Sequence, residues 1–292
     1  MSEKVGFIGV GAMGSAIASR LVGHHELWVY DQRASAADEL VTAGAKFAEV
    51  NEIVAGCTTV FLCLPGPTQV RELVLGEGGL ASTLSEGAVL IDTSTSTPLL
   101  DKEVEAALTA RGIAYVDSPI GGGVRRAREG TATLMVGAEP AVFERVAPLL
   151  RLVTSDVAHL GGTGTGHAMK LVNNLLNSCN RYAALEAVWL GRRCGIEQSK
   201  VVEVINSASG RNYTTEMSYT LLAQDDDTWL PQGFTLGLML KDVHLANELA
   251  DSLGHSTPIG HIVEGFTEQA IERFGPSADQ SEFMAKWYGD PA

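Results

Sequence analysis

Lys4-Val-Gly-Phe-Ile-Gly9-Val-Gly11-Ala12-Met13-Gly14-Ser-Ala-Ile-Ala-Ser-Arg-Leu21 decides the fold of the first half of the chain. Up to Val10 it is a short apolar run of the buried-strand type, and from Ser15 it has helical character. The glycines between form GxGxxG, a motif that gains its meaning from lying between a strand and a helix. Gly9 permits a tight turn, Gly11 lets backbone approach a pyrophosphate, and Gly14 lets helix and strand pack closely. The helix N-terminus then faces the phosphate charge. Leu27-Trp-Val-Tyr30 reads as a second strand and ends at Asp31, seventeen residues after Gly14. Asp31 is placed to accept hydrogen bonds from adenosine ribose hydroxyls. A 2′-phosphate there would meet a second anion, so the pattern favours NAD over NADP. In Gln32-Arg33, which follows, the arginine is able to swing to a phosphate and pulls the other way.

Outward from this motif the alternation continues. Helical character around Ala34–Ala43 is followed by a short strand at Ala45–Phe47, a helix near Val50–Ala55 and a strand at Thr59–Leu64, which Pro65 breaks. A helix at Thr68–Leu75, a strand at Ala88–Ile91, a helix near Leu99–Ala110 and a strand at Gly112–Val116 come next. Strands alternating with helices imply a parallel sheet with right-handed crossovers. Ligands of such sheets sit outside the C-terminal strand ends, where Leu64-Pro65, Asp92–Thr95 and Asp117–Gly123 all fall.

Asp117-Ser118-Pro-Ile-Gly121-Gly122-Gly123 leaves its strand with three adjacent glycines, as expected of backbone that approaches a ligand closely. Arg125, Arg126 and Arg128 follow, the densest positive cluster of an acidic protein. They read either as a solvated helix start or, for one of them, as an anion holder. A strand at Thr131–Gly137, a helix at Pro140–Leu150 and a short strand at Val157–Leu160 close this half.

From Thr163 the patterns are helical. A glycine-rich lead-in opens a long run to about Cys194, on which Lys170, Asn174, Asn177 and Arg181 share one face. That face is either the wet side of an amphipathic helix or a held catalytic group. Lys200–Ser207 reads as a short helix, Ser209–Asn212 as a polar loop, and Gln224–Asp227 as a solvated acidic loop. Phe234–Leu253 is a helix apolar nearly all round, with the pair Lys241-Asp242 inside it; a charged pair there is costly unless paired or used. Thr257-Pro258 opens a helix to Phe274, and the tail from Pro276 ends in a last short one. The domains expected are 1–162, dinucleotide-binding, and 163–292, helical. The cleft between them is the default binding place.

The 292 residues suffice for two cores, and 45% apolar with 19% charged residues is an ordinary globular composition. A net charge of −14 argues against nucleic acid or an anionic membrane as partner. The four cysteines show no CxxC pair and read as buried thiols of a reducing compartment. The glycine-interrupted N-terminus lacks a positive leader, so a signal peptide is not expected. No stretch reaches 18 apolar residues, and the chain is expected to be cytoplasmic.

Four motifs in order resemble the β-hydroxyacid dehydrogenase family along essentially the whole chain. They are Gly6–Gly14, Asp117–Gly123 continued to Gly130–Gly137, Gly166-His-Ala-Met-Lys170-Leu-Val-Asn173-Asn174, and Lys241-Asp242-Val-His-Leu-Ala246. The resemblance implies a Rossmann-like N-terminal α/β domain with a parallel sheet, joined by a long helix to an all-α domain. It implies NAD-dependent interconversion of a small 3-hydroxy acid, of 3-hydroxyisobutyrate type, and its semialdehyde. Lys170 would be the acid/base and Asn174 would position the substrate. Ser118, Gly121, Gly122, Gly123 and Arg125 would contact the substrate. Gly9, Gly11, Ala12, Met13, Gly14, Asp31, Gln32, Leu64, Pro65, Thr95 and Lys241 would contact the cofactor, and no metal is expected. A free lysine titrates at about 10.4, and burial beside a cationic nicotinamide ring should lower that.

Gly121 departs from the family, which usually has serine there. A missing hydroxyl donor and extra room point to a bulkier or differently charged anion, with Arg125 as compensator. Tartronate semialdehyde, succinic semialdehyde or glyoxylate, and sulfolactaldehyde therefore stand as alternatives. An imine reductase or a non-catalytic nucleotide-binding module is a further one, against which the presence of Lys170 speaks. A homodimer or homotetramer is expected from the long shared helix and the apolar helical half.

Overall fold

Both faces of the central sheet are covered, and the strand sequences show why. In β1 (Lys4–Ile8), Val5 and Phe7 enter one core while Ile8 enters the other. In β4 (Thr59–Leu62), Phe61 joins the first core, and Val60 and Leu62 join the second. Val89 and Ile91 of β5 (Val89–Asp92) likewise oppose Leu90. Side chains alternate across a strand, so a strand buried on both faces reads as a continuous apolar run rather than as alternation. The computed structural model describes residues 4–217 and 233–280 and, beyond them, Phe283, Lys286 and Trp287.

Between these strands lie α1 (Ala12–Ser19), β2 (Glu26–Tyr30), α2 (Asp38–Thr42), β3 (Lys46–Phe47), α3 (Val50–Gly56), α4 (Pro67–Leu75) and α5 (Leu80–Thr83). After β5 come α6 (Pro98–Thr109), β6 (Ala114–Asp117), β7 (Ile120–Gly121), α7 (Gly123–Glu129), β8 (Thr133–Gly137), α8 (Pro140–Val153) and β9 (Asp156–Gly161). The sheet runs β3-β2-β1-β4-β5-β6-β8-β7, with β9 paired to β8. From β3 to β6 every pairing is parallel. β8, however, runs antiparallel to both β6 and β7. β7 lies inside the expected glycine loop, where glycines mask its strand character. The connection from β7 to β8 holds only one short helix.

Two compact units form, Met1–Lys170 and Leu171–Ala292. The first extends past the expected junction at 162 because the opening turn of α9 (Thr165–Arg193) is tied to β6 and α6 by the hydrogen bonds described below. The second unit packs Tyr182, Leu185 and Val188 of α9 against α10 (Gln198–Ser207), α12 (Leu236–Ser252) and α13 (Pro258–Phe274), through Val202, Met239, Val243 and Val263, with Phe283 in the same core. A short α11 (Tyr213–Met217) follows the polar loop, because the Asn212 side chain accepts from the Thr214 and Thr215 amides. The acidic loop Gln224–Asp227 and most of the tail lie outside the described residues. Among the described residues no helix is long and apolar enough to cross a membrane.

Candidate functional site

The loops after β1, β4, β5 and β6 belong to four neighbouring parallel strands, so they leave the sheet at one edge. Each glycine of the first loop has its own reason. Gly9 has φ +91°, and a Cβ at Gly14 would overlap the Gly9 carbonyl oxygen. Gly11 caps α1 without a side-chain partner, and a Cβ there would meet nothing within 4 Å. The helix start, with Ala12 and Met13, is thus uncapped and unobstructed, which suits a phosphate. Asp31 accepts from the Val10 amide through Oδ2 (3.0 Å) and from the Arg33 amide through Oδ1 (3.0 Å). Its carboxylate is thereby fixed against the glycine loop, while the Gln32 and Arg33 side chains are exposed. These features fit a dinucleotide. The neighbouring loops are joined as well: the Leu64 amide donates to Ser94 Oγ (2.9 Å). Pro65 is exposed, and Leu64 and Thr95 are half-buried beside it.

A buried polar group that the sequence motifs do not announce lies beneath these loops. Asp92 and Asp117 end β5 and β6 and are register partners. Two adjacent buried carboxylates repel and need compensation. Asp117 accepts from the Gly164 (2.7 Å) and His167 (2.9 Å) amides at the start of α9, and a carboxylate is favoured at that end of a helix. His167 is fully buried, with Nδ1 2.8 and 2.9 Å from the two oxygens of Asp101 and Nε2 3.1 Å from the Ser94 carbonyl oxygen. Tyr115 Oη donates to Asp101 (2.9 Å). Burial works against the charged imidazole, but Asp101, Asp92 and Asp117 outweigh it and raise His167 to about 9. Burial raises Asp117 to about 6 against the opposing effect of His167, and it also raises Asp92. Asp92, Asp101 and His167 bring ligand-type atoms within 4.8 Å of one another. Both ring nitrogens already face protein oxygens, so the group is a hydrogen-bond network. The available signals were an aspartate at two successive strand ends and a histidine inside an otherwise apolar motif.

Lys170 follows one turn along α9, half-buried, and its Nζ donates to the Ile120 carbonyl (2.7 Å). That carbonyl stands at the head of the three glycines, of which Gly122 (φ +115°) and Gly123 (φ +80°) are left-handed and fit no other residue well. A Cβ at Gly121 would come 3.0 Å from Met135 Cε, so the room left by the missing serine is taken up by a methionine methyl. A Cβ at Gly166 would overlap the Met135 carbonyl, which explains the glycine at the start of the Lys170 motif.

Two further residues expected to contact the substrate, Ser118 and Arg125, have these surroundings. Ser118 is fully buried, its amide donates to the Asp92 carbonyl (2.7 Å), and its hydroxyl has no hydrogen-bond partner among the described residues. Arg125 is 73% exposed and pairs with Glu129 at 3.6 Å. Arg126 closes on the Thr131 carbonyl and Arg128 pairs with Glu39 (3.4 Å). Of the two readings of the α9 face, the wet side does not hold at Asn174 and Arg181, which are buried, whereas Val172, Leu176 and Leu190 are 55%, 62% and 67% exposed. Cys194 is exposed rather than buried, and all four thiols are free.

In the second unit Asn174 Nδ2 donates to Asp242 Oδ2 (2.6 Å), and Asn173 Nδ2 donates to Asn174 Oδ1 (3.2 Å). Lys241 Nζ lies 2.8 Å from the other oxygen of Asp242, as an ion pair off the hydrogen-bonding direction. The charged pair inside α12 is therefore paired within itself and holds Asn174.

Residues 4–161 match the profile of the NAD binding domain of 6-phosphogluconate dehydrogenase. Residues 164–287 match that described as NAD-binding of NADP-dependent 3-hydroxyisobutyrate dehydrogenase. The chain is 37% identical to 2-(hydroxymethyl)glutarate dehydrogenase of Eubacterium barkeri over 85% of its length and 82% of that protein. It is 32% identical to NAD-dependent L-serine dehydrogenase of Pseudomonas aeruginosa over 89% of each. A 3-hydroxyisobutyrate dehydrogenase of Mycobacterium tuberculosis, solved with L-serine, superimposes with a TM-score of 0.87 at 25% identity, covering 99% of this chain and 100% of that one. With a dinucleotide loop, a parallel-dominated sheet and a helical second unit already in place, these matches mean that the chain belongs to the β-hydroxyacid dehydrogenase family and is an NAD(P)-dependent hydroxyacid dehydrogenase acting on CH–OH groups.

Proposed function

We propose that the enzyme interconverts a small 3-hydroxy acid of 3-hydroxyisobutyrate type and its semialdehyde, with Lys170 as acid/base. The carrying observation is the Lys170 ammonium, 2.7 Å from the Ile120 carbonyl at the head of the glycine loop. In this reading the Gly122 and Gly123 amides bind the substrate carboxylate, and Lys170 takes the hydroxyl proton on oxidation and returns it on reduction. The bound nicotinamide cofactor supplies the hydride acceptor or donor. Asn174, held by Asp242, orients the substrate, and Lys241 contacts the cofactor; both roles follow from the family motifs.

Two observations narrow the class. 2-(Hydroxymethyl)glutarate, L-serine and 3-hydroxyisobutyrate, named for the relatives, all carry a hydroxymethyl group one carbon from a carboxylate. The room that a side chain would take at Gly121 is filled by the Met135 methyl, which speaks against a bulkier anion such as a sulfonate. We assign NAD over NADP because Asp31 is fixed as a carboxylate acceptor at the loop. We take residues 1–162 as the cofactor domain and 163–292 as the helical domain, in line with the two profile matches. We also propose a homodimer or homotetramer in the cytoplasm, supported by the exposed apolar row Val172, Leu176 and Leu190 and by the free thiols. Light scattering at micromolar concentration that finds only monomer would overturn the assembly.

The test of the reaction pairs a substrate panel with one substitution. With NAD and NADP offered against 3-hydroxyisobutyrate, L-serine, 2-(hydroxymethyl)glutarate, glycerate and a sulfonate analogue, 3-hydroxyisobutyrate and NAD should give the highest kcat/KM. Lys170→Ala should keep cofactor binding while turnover falls about 100-fold or more. Near-normal turnover in that variant would sink the assignment.

A further inference from the structure

His167 is a buried group to which the reaction as read above gives no task. Its two ring nitrogens both face acceptors, the Asp101 carboxylate and the Ser94 carbonyl oxygen. A neutral imidazole has one N–H and would leave a lone pair against one of these oxygens, so the surroundings suit a ring that carries both protons. The groups around it are acidic from every side: Asp101 from α6, Asp92 from the end of β5, and Asp117 with Tyr115 from β6; the only cation near in sequence is Lys170, one turn along α9.

The partners of His167 lead in two directions. Ser94 precedes Thr95, and its hydroxyl accepts from the Leu64 amide, so the Nε2 bond reaches both loops assigned to the cofactor. The His167 amide is bound to Asp117, and three residues on lies Lys170, bound to Ile120. We propose that the His167 imidazolium is a positioning residue, which holds the cofactor loops Leu64–Pro65 and Ser94–Thr95 in fixed relation to the turn of α9 that presents Lys170. It touches neither substrate nor cofactor. Its coupling to turnover rests on the reading of Lys170 as acid/base; its hold on the cofactor loops does not.

Removing the ring or its second proton frees the Ser94 peptide. Displacement of about 1 Å at a reacting centre can cost up to about 100-fold in rate. NADH affinity, followed by its fluorescence between pH 6 and 10, and kcat are measured for the wild type, His167→Gln and Lys170→Ala. The wild type should lose NADH affinity as the pH rises through about 9, where His167 gives up its proton. His167→Gln should bind NADH roughly three- to tenfold more weakly at neutral pH, turn over about tenfold more slowly and show no such limb, as loop misplacement predicts. Lys170→Ala should retain the limb. The inference is overturned if His167→Gln binds within twofold of wild type with the limb intact, or if the limb disappears in Lys170→Ala. Should Lys170→Ala turn over normally, the acid/base reading fails while NADH binding by His167→Gln still decides the hold on the loops. Should His167→Gln not fold, nitrogen-15 spectra of the wild type at pH 7.5 decide: two ring N–H groups on His167 support the inference, and a neutral ring overturns it.

Discussion

The dinucleotide loop and the anchor of Lys170 lie at the same edge of one sheet, yet they are built in opposite ways. The loop is backbone: the glycines at 9, 11 and 14 act through the absence of a side chain, and Asp31 closes on the amide of Val10. The anchor is side chain: His167 meets Asp101 across 66 positions and Ser94 across 73, and Asp117 reaches Gly164 across 47. The loop has no room for an added atom at Gly9 or Gly14, has open space at Gly11, and needs no charge balance. The anchor tolerates no change in charge, because three buried carboxylates share one imidazole. A site of local geometry and a site of long-range electrostatics should therefore fail differently.

Glycine substitutions should give the largest effects and break the loop in two distinguishable ways. Gly14→Ala forces a methyl into the Gly9 carbonyl and should lose about 1–3 kcal/mol of stability along with cofactor binding, seen in urea unfolding and NADH titration. Gly11→Ala meets open space and should cost under about 1 kcal/mol of stability, while still weakening NADH binding at the helix start. Equal loss of stability in both would refute separate roles for the two glycines.

The anchor should respond to pH instead. His167 is raised from 6.5 to about 9 in the folded state, so its contribution to stability is complete below pH 6.5 and is lost as pH rises through 9. Asp117, raised from 3.8 to about 6, contributes below 3.8 and loses that contribution as pH rises through 6. Urea unfolding from pH 6 to 10 should show a falling free energy in the wild type, and Asp101→Asn should move the fall to lower pH. A profile unchanged in Asp101→Asn would contradict the network.

Smaller effects are expected where pairing is local. Asp242→Ala leaves Asn174 without its acceptor and Lys241 without its ion partner and should lower stability by about 1–3 kcal/mol, with Asp242→Asn milder. Arg125→Ala should leave KM for the acid within about twofold, since its pair with Glu129 is exposed. A tenfold rise in KM would restore Arg125 to the substrate.

Most of the alternation was readable because strands buried on both faces and helices carry their periods in contiguous residues. β7 was not, since its residues Ile120–Gly121 become a strand only by pairing with β8. The face of α9 was readable only as a choice between a wet side and a held catalytic group. Asn174 and Arg181 look like solvent residues until the fold buries both and Asp242 of α12 accepts from Asn174, and Val172 and Leu176 look like core although nothing in the described chain covers them. Gly121 was read as added space, which Met135, fourteen positions away, occupies.

The sequence by itself determined the dinucleotide loop, the order of strands and helices apart from β7, and the family motifs around Lys170 and Lys241, all of which depend on residues a few positions apart. Only the tertiary structure decided which carboxylates surround His167, that Ser118 is buried and Arg125 pairs with Glu129 at the surface, and that the first turn of α9 belongs with the sheet. The physical reason is one of range. Backbone conformation follows from neighbouring residues, whereas the charge state and orientation of a buried side chain depend on whatever distant groups the fold brings within hydrogen-bonding distance.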